Sequence, residues 1–303
     1  MLMGVDPHLL RTFVTVVREG SFSAAADRLG YTQPAVSQQI AALEADLGVP
    51  LLLRRPVRPT RAGERLLEHA GPLLLRLRAA RADVARVVAE SHVVTVAASP
   101  LAVTPGTAAA LARAAAVPAP EASAGSPGAA GTVTVRTADP GAAVALAASG
   151  EADLALVDGP AAPSDPLALP DVGPLTSSGV GEEPLVVVLP EGHPLAGRPG
   201  LRLDALADAL WVDAPGVLPL DRLRAVARID GFRTGLRYEG HDVATLARLA
   251  AAGHGLALLP RSAAACGAAV PLAWPRLVHR IEVLHGSLPD GPARRVVHAL
   301  TAR

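Results

Sequence analysis

The sequence predicts a mixed fold: an all-α N-terminal unit ending in a short basic turn, one long helix, and an α/β remainder. Three observations carry this. Within 21–47, apolar residues recur at helical spacing in two short segments separated by a glycine turn. From 66 to 87, apolar residues follow one another at steps of 4 and 3. From 93 onward, short apolar runs alternate with helical patterns.

The first helix is read from Asp6 as N-cap and Pro7 at the first helical position, with Leu10, Phe13, Val14 and Val17 on one stripe. The second places Phe22, Ala25, Ala26 and Leu29 on one face, with Ser21 as N-cap and Gly30 as stop. The third begins at Thr32, tolerates Pro34 in its first turn, and turns Val36, Ile40, Leu43 and Leu47 inward. Its outer face is Gln33, Pro34, Ser37, Gln38 and Ala41, small and uncharged. A solvated helix face normally carries charge. Amide and hydroxyl groups near a helix N-terminus are the chemistry that reads base edges in a DNA major groove. An ordinary helical hairpin with a bland surface is the alternative. Downstream, Arg54, Arg55, Arg58, Arg61 and Arg65 stand against one acid, Glu64, in a turn-rich stretch suited to gripping phosphate.

These residues resemble the LysR-type transcriptional regulators. The match runs through Ser21-Phe22-Ser23, Ala25-Ala26, Leu29, Gln33-Pro34-Ala35-Val36-Ser37, Ile40, Leu43-Glu44, Leu47-Gly48, Leu51-Leu52, Arg54 and Thr60-Arg61-Ala62-Gly63. Leu53 stands where the family commonly has Phe, and Pro59 where an apolar residue is usual. The resemblance implies an all-α winged helix-turn-helix N-terminal domain over 1–61, with Gln33, Pro34, Ala35, Ser37 and Gln38 in the major groove. Arg54, Arg55 and Arg58 would hold phosphate or a neighbouring minor groove.

Composition sets the wider limits. The 303 residues suffice for two domains, and half are hydrophobic. All 28 basic residues are Arg. Residues 1–90 carry 12 Arg against 9 acids, and residues 91–303 carry 16 against 19, so a net charge of zero conceals a basic N-terminal part. The single cysteine, Cys266, excludes an intramolecular disulfide and is expected to be an inert thiol. No His or Cys spacing predicts a metal, no cofactor motif is present, and no nucleophile elbow or phosphate loop predicts an enzyme. Without a signal peptide or membrane span, a cytoplasmic protein is expected.

Residues 62–90 read as one linker helix with a dimer seam of Leu66, Ala70, Leu73, Leu77, Ala80, Val84 and Val87. A helix packed on its own domain would show a wider stripe. Pro72 interrupts its backbone bonding near residue 68. Beyond it, strands at 93–98, 132–136 and 153–157 alternate with helices at 104–116 and 140–149, which predicts a parallel sheet with helical crossovers. Residues 117–131 read as a flexible loop or insertion. Five prolines within 158–174 mark a crossing between lobes. Strands at 184–189, 210–213, 235–239, 255–259 and 278–284 follow, with helices at 203–207, 219–230, 242–253 and 291–302.

This half resembles the LysR-type effector domain, an α/β two-lobed domain similar to periplasmic binding proteins. The carrying residues are Gly150-Glu151-Ala152-Asp153-Leu154-Ala155-Leu156, His193-Pro194-Leu195-Ala196 and Gly253-His254-Gly255-Leu256-Ala257-Leu258-Leu259-Pro260. An effector-binding domain over 91–303 is expected, with lobe I about 91–167 plus 268–303 and lobe II about 168–267. Ligands of open α/β sheets bind beyond the carboxyl ends of strands. Those ends are Ser99-Pro100-Leu101, Arg136-Thr137, Asp213-Ala214 with Gly216, and His241-Asp242, which match the family's effector-contacting positions. Each has a structural alternative. Ser99, Thr137 and Asp242 are suited to helix capping, Arg136 to an ion pair with Asp139, and His241 to solvent.

The resulting expectation is a sequence-specific DNA-binding transcriptional regulator modulated by a small-molecule effector, such as a carboxylate, in the interlobe cleft. It would bind an interrupted palindrome in double-stranded DNA as a homodimer. The resemblance adds a homotetramer, and contact with RNA polymerase if the protein activates. An effector-independent regulator with a closed cleft is the alternative, and a cytoplasmic solute-binding protein a remoter one.

Overall fold

The structure, a computed structural model, describes residues 6–88, 93–116, 132–169, 175–288 and 290–302. The expected loop at 117–131 and two prolines of the expected crossing, at 170 and 174, lie outside the described residues. Two compact units meet at Ala82 and Asp83. The break therefore falls inside the long helix rather than at residue 61 or 90.

The first unit contains α1 (Pro7–Glu19), α2 (Phe22–Leu29), α3 (Gln33–Leu47), a two-stranded ribbon of β1 (Leu52–Arg54) and β2 (Val57–Pro59), and most of α4 (Arg61–Val88). The caps follow the sequence. Asp6 accepts from His8 N, Ser21 from Ala24 N and Thr32 from Ala35 N, while Gly20, Gly30 and Gly48 take left-handed φ at the three helix ends. Phe13, Val16, Ala25, Val36, Ile40 and Leu43 form a sealed core. Each large side chain withdrawn from water there contributes roughly 1.5–3 kcal/mol. Glu44 Oε1 accepts from Leu51 N and Leu52 N at 2.8 and 3.2 Å, fastening the ribbon to α3. Thr60 Oγ1 accepts from Gly63 N at 3.1 Å and caps α4. Helix α4 runs through Pro72.

The second unit begins with lobe I: β3 (Val93–Ala98), α5 (Pro105–Ala116), β4 (Thr132–Thr137), α6 (Pro140–Ser149), β5 (Leu154–Ala161), β12 (Val278–His285) and α9 (Pro292–Thr301). Between β5 and β12 lie β6 (Thr176–Leu189), β7 (Leu201–Arg202), β8 (Leu210–Asp213), α7 (Leu220–Ala227), β9 (Arg233–Arg237), α8 (Val243–Ala251), β10 (Ala257–Pro260) and β11 (Ala268–Trp274). One sheet runs β4-β3-β5-β12-β6-β11-β7, with β10 also on β6.

The expected parallel sheet is only partly present. β3 pairs in parallel with β4 and β5, and β8 with β9, but every pairing of β6 with β10, β11 and β12 is antiparallel. The chain reverses direction where it passes between lobes, so strands there meet head to tail. This also corrects the lobe limits. The first crossing is made within β6, not at 168. Residues 268–274 stay in lobe II as β11, and the chain returns to lobe I only at β12. Each lobe has its own core. Val96, Leu154, Leu156, Val283 and Leu300 lie in one, and Leu189, Leu203, Trp211, Leu223 and Phe232 in the other.

Candidate functional site

In the first unit, α3 presents Gln33, Pro34 and Gln38 to solvent, with Ala35 and Ser37 half-buried beside them. The split along the helix has a clear cause. Gln39, one position on, turns inward, where its Oε1 accepts from Thr12 Oγ1 at 2.7 Å. Gln38 makes no such bond, so its amide remains open to a partner with paired donor and acceptor. Arg55 and Arg58 are exposed on the ribbon. Arg54 is not equally free. Its guanidinium stands 5.6 Å over the Phe22 ring and 3.9 Å from Glu44, so part of its charge is spent within the unit.

The expected seam on α4 divides in two. Leu66 packs against the core of its own unit and Ala70 is fully buried. Leu73, Leu77 and Val84 are 46%, 43% and 67% exposed, and Ala80 is exposed too. The unpartnered stripe therefore starts at Leu73. The Val87 side chain lies outside the described residues.

In the second unit, most of the groups at the strand ends are already engaged. Ser99 is fully buried, and its hydroxyl donates to the Asp158 carboxylate rather than capping the next turn. Pro100 opens a 3-10 turn that delivers Leu101 into a cluster with Val212, Ala214, Val217 and Leu246 of lobe II. Leu101 and Ala214 thus belong to one buried cluster. Asp213 accepts from Leu220 N at 3.3 Å and pairs with Arg237 at 2.9 Å. Gly216 sits under His241, leaving 3.1 Å between the imidazole and a Cβ built at that glycine. Asp242 caps α8 through Thr245 N at 2.9 Å. Thr137 and Arg136 are exposed on the edge strand β4. Asp139 caps α6, and among the described residues Arg136 has no ion-pair partner.

A buried polar cluster behind Ser99 was missed from the sequence. Asp158 on β5 receives Ser99 on one oxygen and faces His279 Nε2 at 3.0 Å with the other. His279 Nδ1 lies 3.6 Å from Glu183 of β6. Burial pulls the His279 pKa down, but the facing carboxylates of Asp158 and Glu183 outweigh it and raise it to about 9. Glu183 is lowered, first by His279 and then, against the cost of its burial, by Ser262. Arg222 of α7 in lobe II reaches over Gly159 and donates to the Asp158 carbonyl at 2.9 Å. Burial lowers its pKa, partly offset by Asp158. One signal was legible: a lone acid in the apolar strand LALVDGPA and a His in VHRIEVLH. Ser99 touches the carboxylate and not the imidazole. The hydroxyl is held on the Asp158 carboxylate, which in turn faces His279.

Among the described residues, no group of three or more His, Cys, Asp or Glu is placed to hold a metal, and no helix is long and apolar enough to cross a membrane.

Residues 7–64 match the family model for the bacterial regulatory helix-turn-helix protein, lysR family, and residues 131–300 match the LysR substrate binding domain. The HTH-type transcriptional regulator AbaB of Streptomyces antibioticus is 56% identical over 72 residues, 23% of this chain and 24% of that protein. The probable cat1 operon transcriptional activator of Acinetobacter lwoffii is 44% identical over 85 residues, 27% of this chain and 28% of that protein. The chain thus spans about a quarter of the length of these curated relatives. Full-length CbnR, solved in complex with its target DNA, superposes over 97% of this chain and 98% of its own at 21% identity and a TM-score of 0.50. At that identity the likeness is one of fold.

Proposed function

The chain belongs to the LysR family of bacterial regulatory proteins, and on that footing we propose that it is a sequence-specific DNA-binding transcriptional regulator acting in the cytoplasm. The observation that carries this is the exposed, uncharged N-terminal face of α3, Gln33 to Gln38, set beside the exposed Arg55 and Arg58 of the ribbon. The first supplies groups for base edges and the second supplies charge for phosphate. CbnR, its structural likeness, was solved on target DNA. The stripe from Leu73 to Val84 on α4 is suited to a second copy, hence to two half-sites in an interrupted palindrome. Family analogy extends this to a tetramer and, for an activator, to RNA polymerase. The test is a gel shift on DNA flanking the protein's own gene. Retardation that weakens steeply with salt and resists non-specific competitor is expected, and absence of retardation overturns the reading.

Small-molecule control through the cleft is the second half of the proposal. Ser99, Pro100, Leu101, Arg136, Thr137, Asp213, Ala214, Gly216, His241 and Asp242 border that cleft. An effector there acts only by binding two lobe arrangements unequally. One specific observation favours the effector-independent reading: Leu101 is buried in one cluster with side chains of lobe II. Thermal denaturation in the presence of small carboxylic acids separates the two. A concentration-dependent rise in melting temperature supports an effector, and a flat response across the acids supports a self-filled cleft.

A further inference from the structure

A cavity of about 560 Å³ opens in the second unit away from that cleft, against the outer edge of β6. Its chemistry is set by Arg280 and Glu182. Glu282, whose side chain is 3% exposed, accepts from Arg280 Nε at 2.7 Å, and it is itself fixed by Ser177 Oγ at 2.5 Å and Leu167 N at 3.1 Å. Glu182 Oε1 takes Arg280 Nη1 and Ser164 N. Within the described residues this leaves Arg280 Nη2 without an acceptor and Glu182 Oε2 without a donor. Both groups belong to side chains that line the cavity. A clamped cation and a clamped anion, each with one unused atom, form a complementary pair for a ligand bearing both charges.

The wall is cleared for access. Gly179 lies against the guanidinium, where a Cβ would stand 3.2 Å from Nη2, and a Cβ at Gly181 would meet nothing within 4 Å. Between them the β6–β12 register shifts, leaving Val180 unpaired. Val180 and Gly181 also line an adjoining cavity of about 380 Å³, where Ala109, Ala110, Ile281 and Leu300 form an apolar stretch of wall beside Thr104, Thr107 and Arg113. The two cavities thus share the Val180–Gly181 wall, and the second offers an apolar stretch that the first lacks.

The geometry points to a binding site for an α-amino acid with an aliphatic side chain. Its carboxylate meets Arg280 Nη2, its ammonium meets Glu182 Oε2, and its side chain passes Val180 to lie against Ala109, Ala110, Ile281 and Leu300. The two chambers fall in the size range of small-molecule sites. The site is independent of the cleft: Ser99 and Leu101 line neither chamber. Because β6 and β12 pair directly along this wall, occupancy bears on the strands that carry the chain between lobes.

The test is calorimetric titration of the full chain with L-leucine, and in parallel with 4-methylpentanoate and 3-methylbutylamine, which lack one charge each. Saturable binding of leucine is expected, with each analogue at least tenfold weaker. Gly181→Leu fills the chamber from an unstrained backbone position and is expected to abolish leucine binding with little change in melting temperature. Glu182→Gln is expected to weaken leucine at least tenfold while leaving 4-methylpentanoate unchanged. No saturable heat with leucine, equal affinity for the deaminated analogue, or undiminished binding by Gly181→Leu would each overturn the proposal. The last would move the ligand elsewhere in the unit, and DNA retardation by the same variant reports separately on the regulator reading.

Discussion

Asp158 and His279 face each other 3.0 Å apart on neighbouring antiparallel strands, both almost fully withdrawn from solvent. A carboxylate in that position would be costly alone. The imidazolium opposite it, backed by Glu183, offsets the desolvation.

Stability is therefore expected to depend on pH through His279. Its folded pKa of about 9 lies above the unfolded value of 6.5. A raised pKa means that the folded state holds the proton more tightly. The contribution is complete below about pH 6.5 and is lost as pH rises through 9. The separation corresponds to on the order of 3 kcal/mol. Melting temperatures measured from pH 6 to pH 10 are expected to fall over that window. In His279→Gln the fall is expected to flatten, with a lower melting temperature at pH 6. An unchanged pH profile in the variant would remove His279 from this role.

Gln38→Ala is expected to cost about 1–3 kcal/mol of specific DNA binding while leaving non-specific affinity near its starting value. Competition gel shifts with specific and random duplexes measure both. Equal loss on both duplexes would show that Gln38 does not read bases.

Arg58→Ala tests the phosphate role. It is expected to weaken binding on all sequences and to lower the salt slope by about 1. Arg54→Ala is expected to do less to that slope, because Arg54 already spends charge on Glu44 and the Phe22 ring. A larger change from Arg54 than from Arg58 would reverse this assignment.

Leu77→Asp is expected to halve the mass measured by light scattering if the exposed stripe on α4 is the dimer seam. Leu66→Asp is expected instead to lower the melting temperature, because Leu66 packs on its own unit. An unchanged mass for Leu77→Asp would place the interface elsewhere.

Gly63 offers a purely steric test. A Cβ there would stand 2.2 Å from the Leu51 carbonyl oxygen, a backbone atom with little room to give. Gly63→Ala is expected to destabilise the first unit by about 1–3 kcal/mol and to weaken DNA binding by displacing the ribbon. Denaturant titration checks the first effect and a gel shift the second.

The residues that were readable in advance are those governed by local rules. Asp6, Ser21 and Thr32 cap helices, and Gly20, Gly30 and Gly48 end them, because each needs only its own neighbours. The uncharged face of α3 was legible for the same reason. The ten cleft positions were placed at strand ends, yet Ser99 and Asp213 turned out to be held by Asp158 and Arg237. Such partners depend on register between strands far apart in the chain, which periodicity does not carry. Asp158 and His279 lie 121 residues apart in sequence. The lobe II strand β11 was missed for a local reason: AAVPLAW has too many small residues and a proline to stand out as a strand.

Strand β6 is shared property of both lobes. Up to Pro184 its partner is β12; from Leu185 on its partners are β10 and β11. The change falls at Pro184, a residue with no N–H to give. Rungs on either side pin the backbone there, so the lobes have little freedom to swing as on a loose tether. Any twist between the lobes would therefore be carried as on a torsion bar, by a strand whose two ends are fastened to different neighbours.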